Sequence, residues 1–193
     1  YHSFNHSLFA KEAAVILGKK YHLKKKELEA LALAALFHDT GFTQTFDGHE
    51  DVSIEIVKKF LGERNYDPAY LEKIVACIET TKMGVVPKTL LQKIMKDADF
   101  NDFGEETYED KANNLRHEWE VFRNIKMTDE EWLENNWNFW NNHVFYTGEA
   151  AMMFRKAKKQ NLKKLQKTVE KLAKRKIGDS ADGLVSILSG NRT

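Results

Sequence analysis

The chain is 193 residues long, 42% of them apolar, and carries a formal net charge of +1. That length allows one full core and little more, and so small a charge excludes a global field that would recruit nucleic acid or a membrane surface. Cys77 stands alone, so an internal disulfide framework is impossible. No apolar run reaches transmembrane length and no signal peptide is visible, which reads as a cytoplasmic protein with no membrane partner. With two prolines, ten glycines and scattered β-branched residues, the composition predicts an all-α fold.

The first helix is expected over Tyr1–Lys20, where Phe9, Ala10, Ala13, Ile16 and Leu17 repeat at helical spacing. That register puts His6 on the face of Ala10 and Ala13, with His2 one turn earlier. After a short basic connection, Glu27–Asp39 reads as a buried central helix, apolar on nearly every side. His38 and Asp39 fall in its last turn, and Gly41 is placed to cap or break it. Phe42–His49 reads as a loop rimming a pocket, and Asp51–Leu61 as an amphipathic helix stopped by Gly62. His49, at that helix's start, is either part of a plain N-terminal cap or a ring that meets an anion. Asp67-Pro68 opens the next helix, which runs out at Thr80-Thr81-Lys82. Pro87 starts another, with Leu90, Leu91, Ile94, Met95 and Ala98 inside and Asp97, Asp99 and Asp102 crowding its end. Carboxylates there oppose the helix dipole, a penalty that a cation would remove.

Glu105–Ile125 is a charged helix with Leu115, Trp119 and Phe122 on its apolar side. Thr128-Asp129-Glu130-Glu131 is an N-terminal signal leading into Trp132, Trp137, Phe139, Trp140, Phe145 and Tyr146. Those rings pack a core or a subunit contact, the latter pointing to a homodimer; stacking on nucleobases is the minority alternative. Between Arg155 and Lys176 runs an amphipathic basic helix with Leu162, Leu165, Val169 and Leu172 on one side. A solvated outer face explains it better than contact with nucleic acid. Residues 1–176 therefore form one domain, and 177–193 a tail.

An isolated His-Asp pair is usually a capping histidine beside a solvated aspartate. Here four groups from three helices point to a metal instead: His6, His38, Asp39 and Asp99. Two imidazoles and two carboxylates suit a zinc, iron or manganese ion, leave positions for water, and allow one carboxylate to bridge two ions. Such an open site lowers the pKa of water to about 7 and neutralises phosphoryl oxygens, so phosphoesters are natural substrates. His2, one turn from His6, is placed to protonate the leaving oxygen. His49 and Lys82 are expected to line the pocket and reach a phosphate as donors without holding the first ion.

The order H…HD…D, in His6, His38-Asp39 and Ala98-Asp99, resembles the HD-domain superfamily of metal-dependent phosphohydrolases. Tyr1-His2-x-x-x-His6 is similar to the Y-H-N-x-x-H signature of cyclic-nucleotide phosphodiesterases, a branch of that superfamily, with Ser3 where the asparagine would be. The resemblance implies an HD helical bundle with its metal site between helices. It implies one or two divalent ions (Zn, Mn, Mg, Fe or Ni) on His6, His38, Asp39 and Asp99. It also implies His2 as proton donor, Asp39 as the bridging carboxylate, and His49 as the active-site histidine that follows HD in several branches. The block Asp97–Gly104, Arg116-x-Glu118, His143-x-x-Tyr146-Thr147 and Lys159-x-Asn161-Leu162 resemble a group of bacterial HD hydrolases. The implied substrate is a small phosphorylated molecule, a nucleotide or cyclic nucleotide, although the glutamine that clamps the base in the phosphodiesterase branch has no counterpart. Two alternatives stand beside this reading. One is a di-iron oxygenase on the same fold, against which stands His49 as the one histidine between HD and Asp99. The other is a non-catalytic helical module binding RNA or a protein through the basic C-terminal helix.

Overall fold

The computed structural model describes residues 1–101 and 108–177, with side chains through 172. Every regular element among the described residues is helical. They are α1 (Phe4–Lys20), α2 (Lys25–Phe37), a 3₁₀ turn (Thr40–Thr43), α3 (His49–Gly62), α4 (Pro68–Thr81), α5 (Leu90–Asp99), α6 (Tyr108–Phe122), α7 (Asp129–Asn142) and α8 (Gly148–Ile177). The all-α expectation holds. The tail beyond Ile177, Asp102, and the rest of the block up to Gly104 lie outside the described residues.

The core is built on α2, which packs against α1, α4 and α5, while α3 covers α4 and the 3₁₀ turn. Ala10, Ala13 and Ala14 of α1 face Ala30, Ala34 and Ala35 of α2 in the same buried cluster. Small side chains let the two backbones approach closely, so large residues have no room between them. That reverses part of the expected stripe on α1: Phe9 and Ile16 are each 44% exposed, while Ser7 and Gly18 turn inward. Leu17, Leu31, Ile74, Ile78, Ile94 and Met95 fill the remaining interior, at roughly 1.5–3 kcal/mol of burial for each large aliphatic side chain. α8 packs on α7 and reaches back to α1 and α5, joining the C-terminal helices to this core.

Several element bounds differ from the sequence pattern for local reasons. α1 starts at Phe4 because Ser3 is its N-cap, accepting from the His6 backbone N–H at 3.3 Å. His2 therefore precedes the helix. α5 starts at Leu90 rather than at Pro87, because Thr89 and Gln92 form a capping box. α2 ends at Phe37, so His38 and Asp39 sit just past it, followed by a 3₁₀ turn that starts at Thr40 and runs into the expected loop. Gly48, at φ +73°, leads into α3 at His49. Asp67 with Pro68, and Thr128 with Glu131, cap α4 and α7 as the sequence predicts.

Candidate metal centre

His6 enters the interior from the first turns of α1, at the end of the alanine face. His38 and Asp39 enter where α2 stops, and Asp99 where α5 stops. His6, His38 and Asp39 each offer a ligand atom within 4.8 Å of one another. Asp99 Oδ1 lies 3.1 Å from His6 Nε2 and 3.1 Å from His38 Nε2. Asp39 Oδ2 lies 3.2 Å from His38 Nε2 and 3.7 Å from His6 Nε2. His38 is buried, and its Nδ1–H donates to the Ala35 carbonyl at 2.8 Å. That bond fixes the tautomer, so in the neutral ring a lone pair on Nε2 faces two carboxylates. Asp39 Oδ2 is itself buried and accepts no hydrogen bond among the described residues.

Lone pairs aimed at carboxylate oxygens repel unless a positive charge sits among them. The electrostatics say the same. Burial alone would push the His38 imidazole toward neutrality, but Asp39 and Asp99 outweigh it and raise its pKa. Burial would raise Asp99, yet the charge of His38 and the bonds from His38 and His6 drive it well below the carboxylate range. A site that holds a proton on a fully buried ring fits a divalent cation better, and the nitrogen-oxygen donor set suits one.

The two oxygens of Asp39 face different imidazoles. Oδ2 faces His6 and His38, whereas Oδ1 lies 3.6 Å from His49 Nε2. His49 donates from Nδ1 to the Phe46 carbonyl at 3.0 Å, which turns Nε2 toward the cluster. The 3₁₀ turn that carries Asp39 lies hard against α3. The Gly41 N–H donates to Ser53 Oγ at 2.8 Å, and a Cβ on Gly41 would lie 1.9 Å from the His49 carbonyl oxygen. Glycine is required here by a close backbone approach rather than as a helix cap.

His2 sits beside the cluster, with ring centroids 6.4 Å from His6. Its position is set by tertiary contacts, not by helix geometry. Nδ1 lies 2.6 Å from Glu118 Oε2, the backbone N–H donates to Glu118 Oε1 at 2.9 Å, and the ring stacks on Phe42 at 4.0 Å. Phe42 stacks equally on His49, at 3.7 Å. Burial would raise the Glu118 carboxyl, but its bond to His2 outweighs that and holds it below the ordinary carboxylate range. Glu118 lay within a motif the sequence offered, but its role needed the fold: α6 is more than a hundred residues away from His2.

Lys82 does not line the cavity. Its ammonium bonds to Asp51 at 2.6 Å and Glu79 at 2.9 Å, while its neighbours Thr81 and Met83 form that part of the wall. Two carboxylates, one on α3 and one on α4, hold its charge where the sequence expected it to reach a phosphate. Arg123 lines the cavity instead, bonded to Asp47 and lying over the Phe46 ring. Two further charges on α5, Lys96 and Asp97, bond away from the cluster. Asp97, fully buried, accepts from the backbone N–H groups of Tyr146 and Thr147 at 2.8 and 2.9 Å, and from the Thr147 hydroxyl at 2.6 Å. Lys96, also buried, donates to the carbonyls of Thr80 and Lys82 at 2.8 and 2.7 Å, at the end of α4. Cys77 is buried, which pushes its thiol up to about 12 and leaves it no nucleophilic role.

The cluster opens into a cavity of about 640 Å³. His2, His38, Asp39, His49 and Asp99 line one end, and rings from α6 and α7 line the other. This architecture is that of a helical metal-site domain. Residues 1–100 match the family model for the HD domain, and the chain belongs to that family. A predicted HD superfamily hydrolase from an uncultured Thermotogales bacterium superposes with a TM-score of 0.60, covering 89% of this chain and 82% of that one at 17% identity. That likeness is one of fold. No curated protein matches the chain.

Proposed function

We propose that the protein hydrolyses a phosphoester with one or two divalent cations held by His6, His38, Asp39 and Asp99. The observation that supports this most directly is the convergence of two imidazole nitrogens and two carboxylates in a buried cluster, with the His38 tautomer fixed by Ala35. A cation bound there supplies a water nucleophile at neutral pH and a counter-charge for the phosphoryl oxygens. Asp39, with one oxygen toward His6 and His38 and the other toward His49, would be the carboxylate shared with a second ion. The oxygen of water forms the new P–O bond as the bond to the leaving oxygen breaks. His2 gives its Nε2 proton to that oxygen, and Glu118 holds the ring in place through Nδ1. The opening Tyr1-His2-x-x-x-His6 favours nucleotides and cyclic nucleotides as the first esters to try.

The test is metal analysis of the purified protein together with a panel of phosphomonoesters and cyclic diesters. The wild type should retain at least one divalent ion per chain and turn over an ester in its presence. Asp39→Asn and His38→Ala should lose both. A folded Asp39→Asn variant with full metal content and full activity would end the proposal.

A further inference from the structure

The cavity extends well past the four ligands, and its far end has a different chemistry. At about 640 Å³ it is large enough for a ligand many times the size of a phosphate. The far wall is made of Leu115, Trp119, Trp132 and Phe139, with Tyr108 beside them. Trp119 and Trp132 meet edge to face at 5.7 Å.

Among the described lining residues charge is sparse, and the one cation, the Arg123 guanidinium, lies over the Trp119 ring at 5.9 Å from its centroid. Among the described lining residues, the formal charges besides histidine are Asp39, Glu50, Asp99 and Arg123. The Arg123 guanidinium is already bonded to Asp47, at 2.6 and 2.9 Å. No lysine lines the cavity among the described residues. One phosphoryl group at the cations is matched, whereas a second or third would carry its negative charge toward aromatic rings. Hydrogen-bonding capacity at the far end is also small. The Asn136 carbonyl accepts from the Tyr108 hydroxyl, and its amide donates to the Trp132 carbonyl at 2.7 Å. The Asn135 amide is directed at the Met127 sulfur, 3.2 Å away.

From this wall we infer a substrate class: a single phosphate esterified to a flat, largely apolar ring system, in preference to a nucleoside di- or triphosphate. The inference rests on the phosphohydrolase reading and narrows it. Hydrolysis then breaks the P–O bond to the ring-bearing alcohol. It releases that alcohol with the proton from His2 and inorganic phosphate with the oxygen of water.

The experiment uses the full chain loaded with Mn²⁺ and compares kcat/KM for benzyl phosphate, 2-naphthylmethyl phosphate, AMP and ATP. Benzyl and naphthylmethyl alcohols are similar leaving groups, so their ratio reads the cavity rather than the chemistry. Burying the added ring should raise kcat/KM by about tenfold, with AMP below the naphthyl ester and ATP lowest. In Phe139→Ala and in Trp119→Leu the naphthyl-to-benzyl ratio should fall toward one. Calorimetric binding of 2-naphthylmethylphosphonate, which cannot be hydrolysed, reads the same wall without turnover. A naphthyl-to-benzyl ratio near one in the wild type, or AMP or ATP above the naphthyl ester, overturns the inference. Phosphonate binding that Phe139→Ala weakens, with no ester turned over, would instead retire the hydrolase reading and keep the ring site.

Discussion

At the scale of single residues, the sharpest division of labour is between His6 and His2. His6 faces two carboxylates inside the cluster, and His2 is held outside it by Glu118 and Phe42. His2→Asn should therefore keep its metal and lose turnover by about 10²–10⁴-fold on an alkyl ester, the usual contribution of a general acid. The loss should be much smaller on a nitrophenyl ester, whose leaving group departs without a proton. Equal losses on both esters, measured by initial rates at saturating metal, would remove the acid role. Glu118 predicts a pH dependence of stability. Its folded pKa lies below the ordinary 4.5, so the folded state binds its proton less readily than the unfolded chain does. The stabilisation is full above about pH 4.5 and is lost as pH falls from there through the folded value. Urea unfolding of wild type and Glu118→Gln should show their difference shrinking across that window; a difference unchanged down to pH 2 would contradict it.

At the scale of elements, the turn after α2 decides where Asp39 points. Gly41 has no room for a methyl group against the His49 carbonyl, a backbone atom that cannot swing aside. Gly41→Ala should lower stability by about 2–4 kcal/mol and should also weaken metal binding, because Asp39 and His49 are carried by the two segments forced apart. Thermal melts with and without added metal would check both. A Gly41→Ala protein with a wild-type midpoint would show that the turn yields more easily than the contact implies. The sequence made much of this geometry legible. The helical spacing of His6 with Ala10 and Ala13, and the placing of His38, Asp39 and Asp99 at helix ends, are local patterns that survive folding. Lys82 shows where such reasoning stops. Its place after a helix was readable, but the carboxylates of Asp51 and Glu79 that take its charge became neighbours only when α3 packed on α4. Glu118, Arg123 and the Trp119–Trp132 wall were illegible for the same reason, since each acts on partners from another part of the chain.

At the scale of the whole molecule, the histidine half and the aromatic half share one cavity and must keep a fixed distance. Asp97 is the tie. Three donors just before α8 converge on one buried carboxylate. Asp97→Ala leaves them without an acceptor, at a cost of about 1–3 kcal/mol for each one still buried. It should raise hydrogen exchange in α7 and α8 first and lower metal affinity only modestly. Exchange that rises uniformly across α1–α5 instead would mean that the tie supports the core rather than the join.

Lys96, Asp97 and Asp99 occupy one turn of α5 and reach three destinations: the carbonyls at the end of α4, the Tyr146 and Thr147 N–H groups just before α8, and the cluster. A cation meets the negative end of one helix, and an anion meets the positive end of another. This turn works as a rigid lever. Any drift of the aromatic helices is delivered to Asp99 two residues away, and any drift of α4 arrives there through Lys96. Moving the end of α4 or the segment entering α8 as a body would therefore shift Asp99 as well.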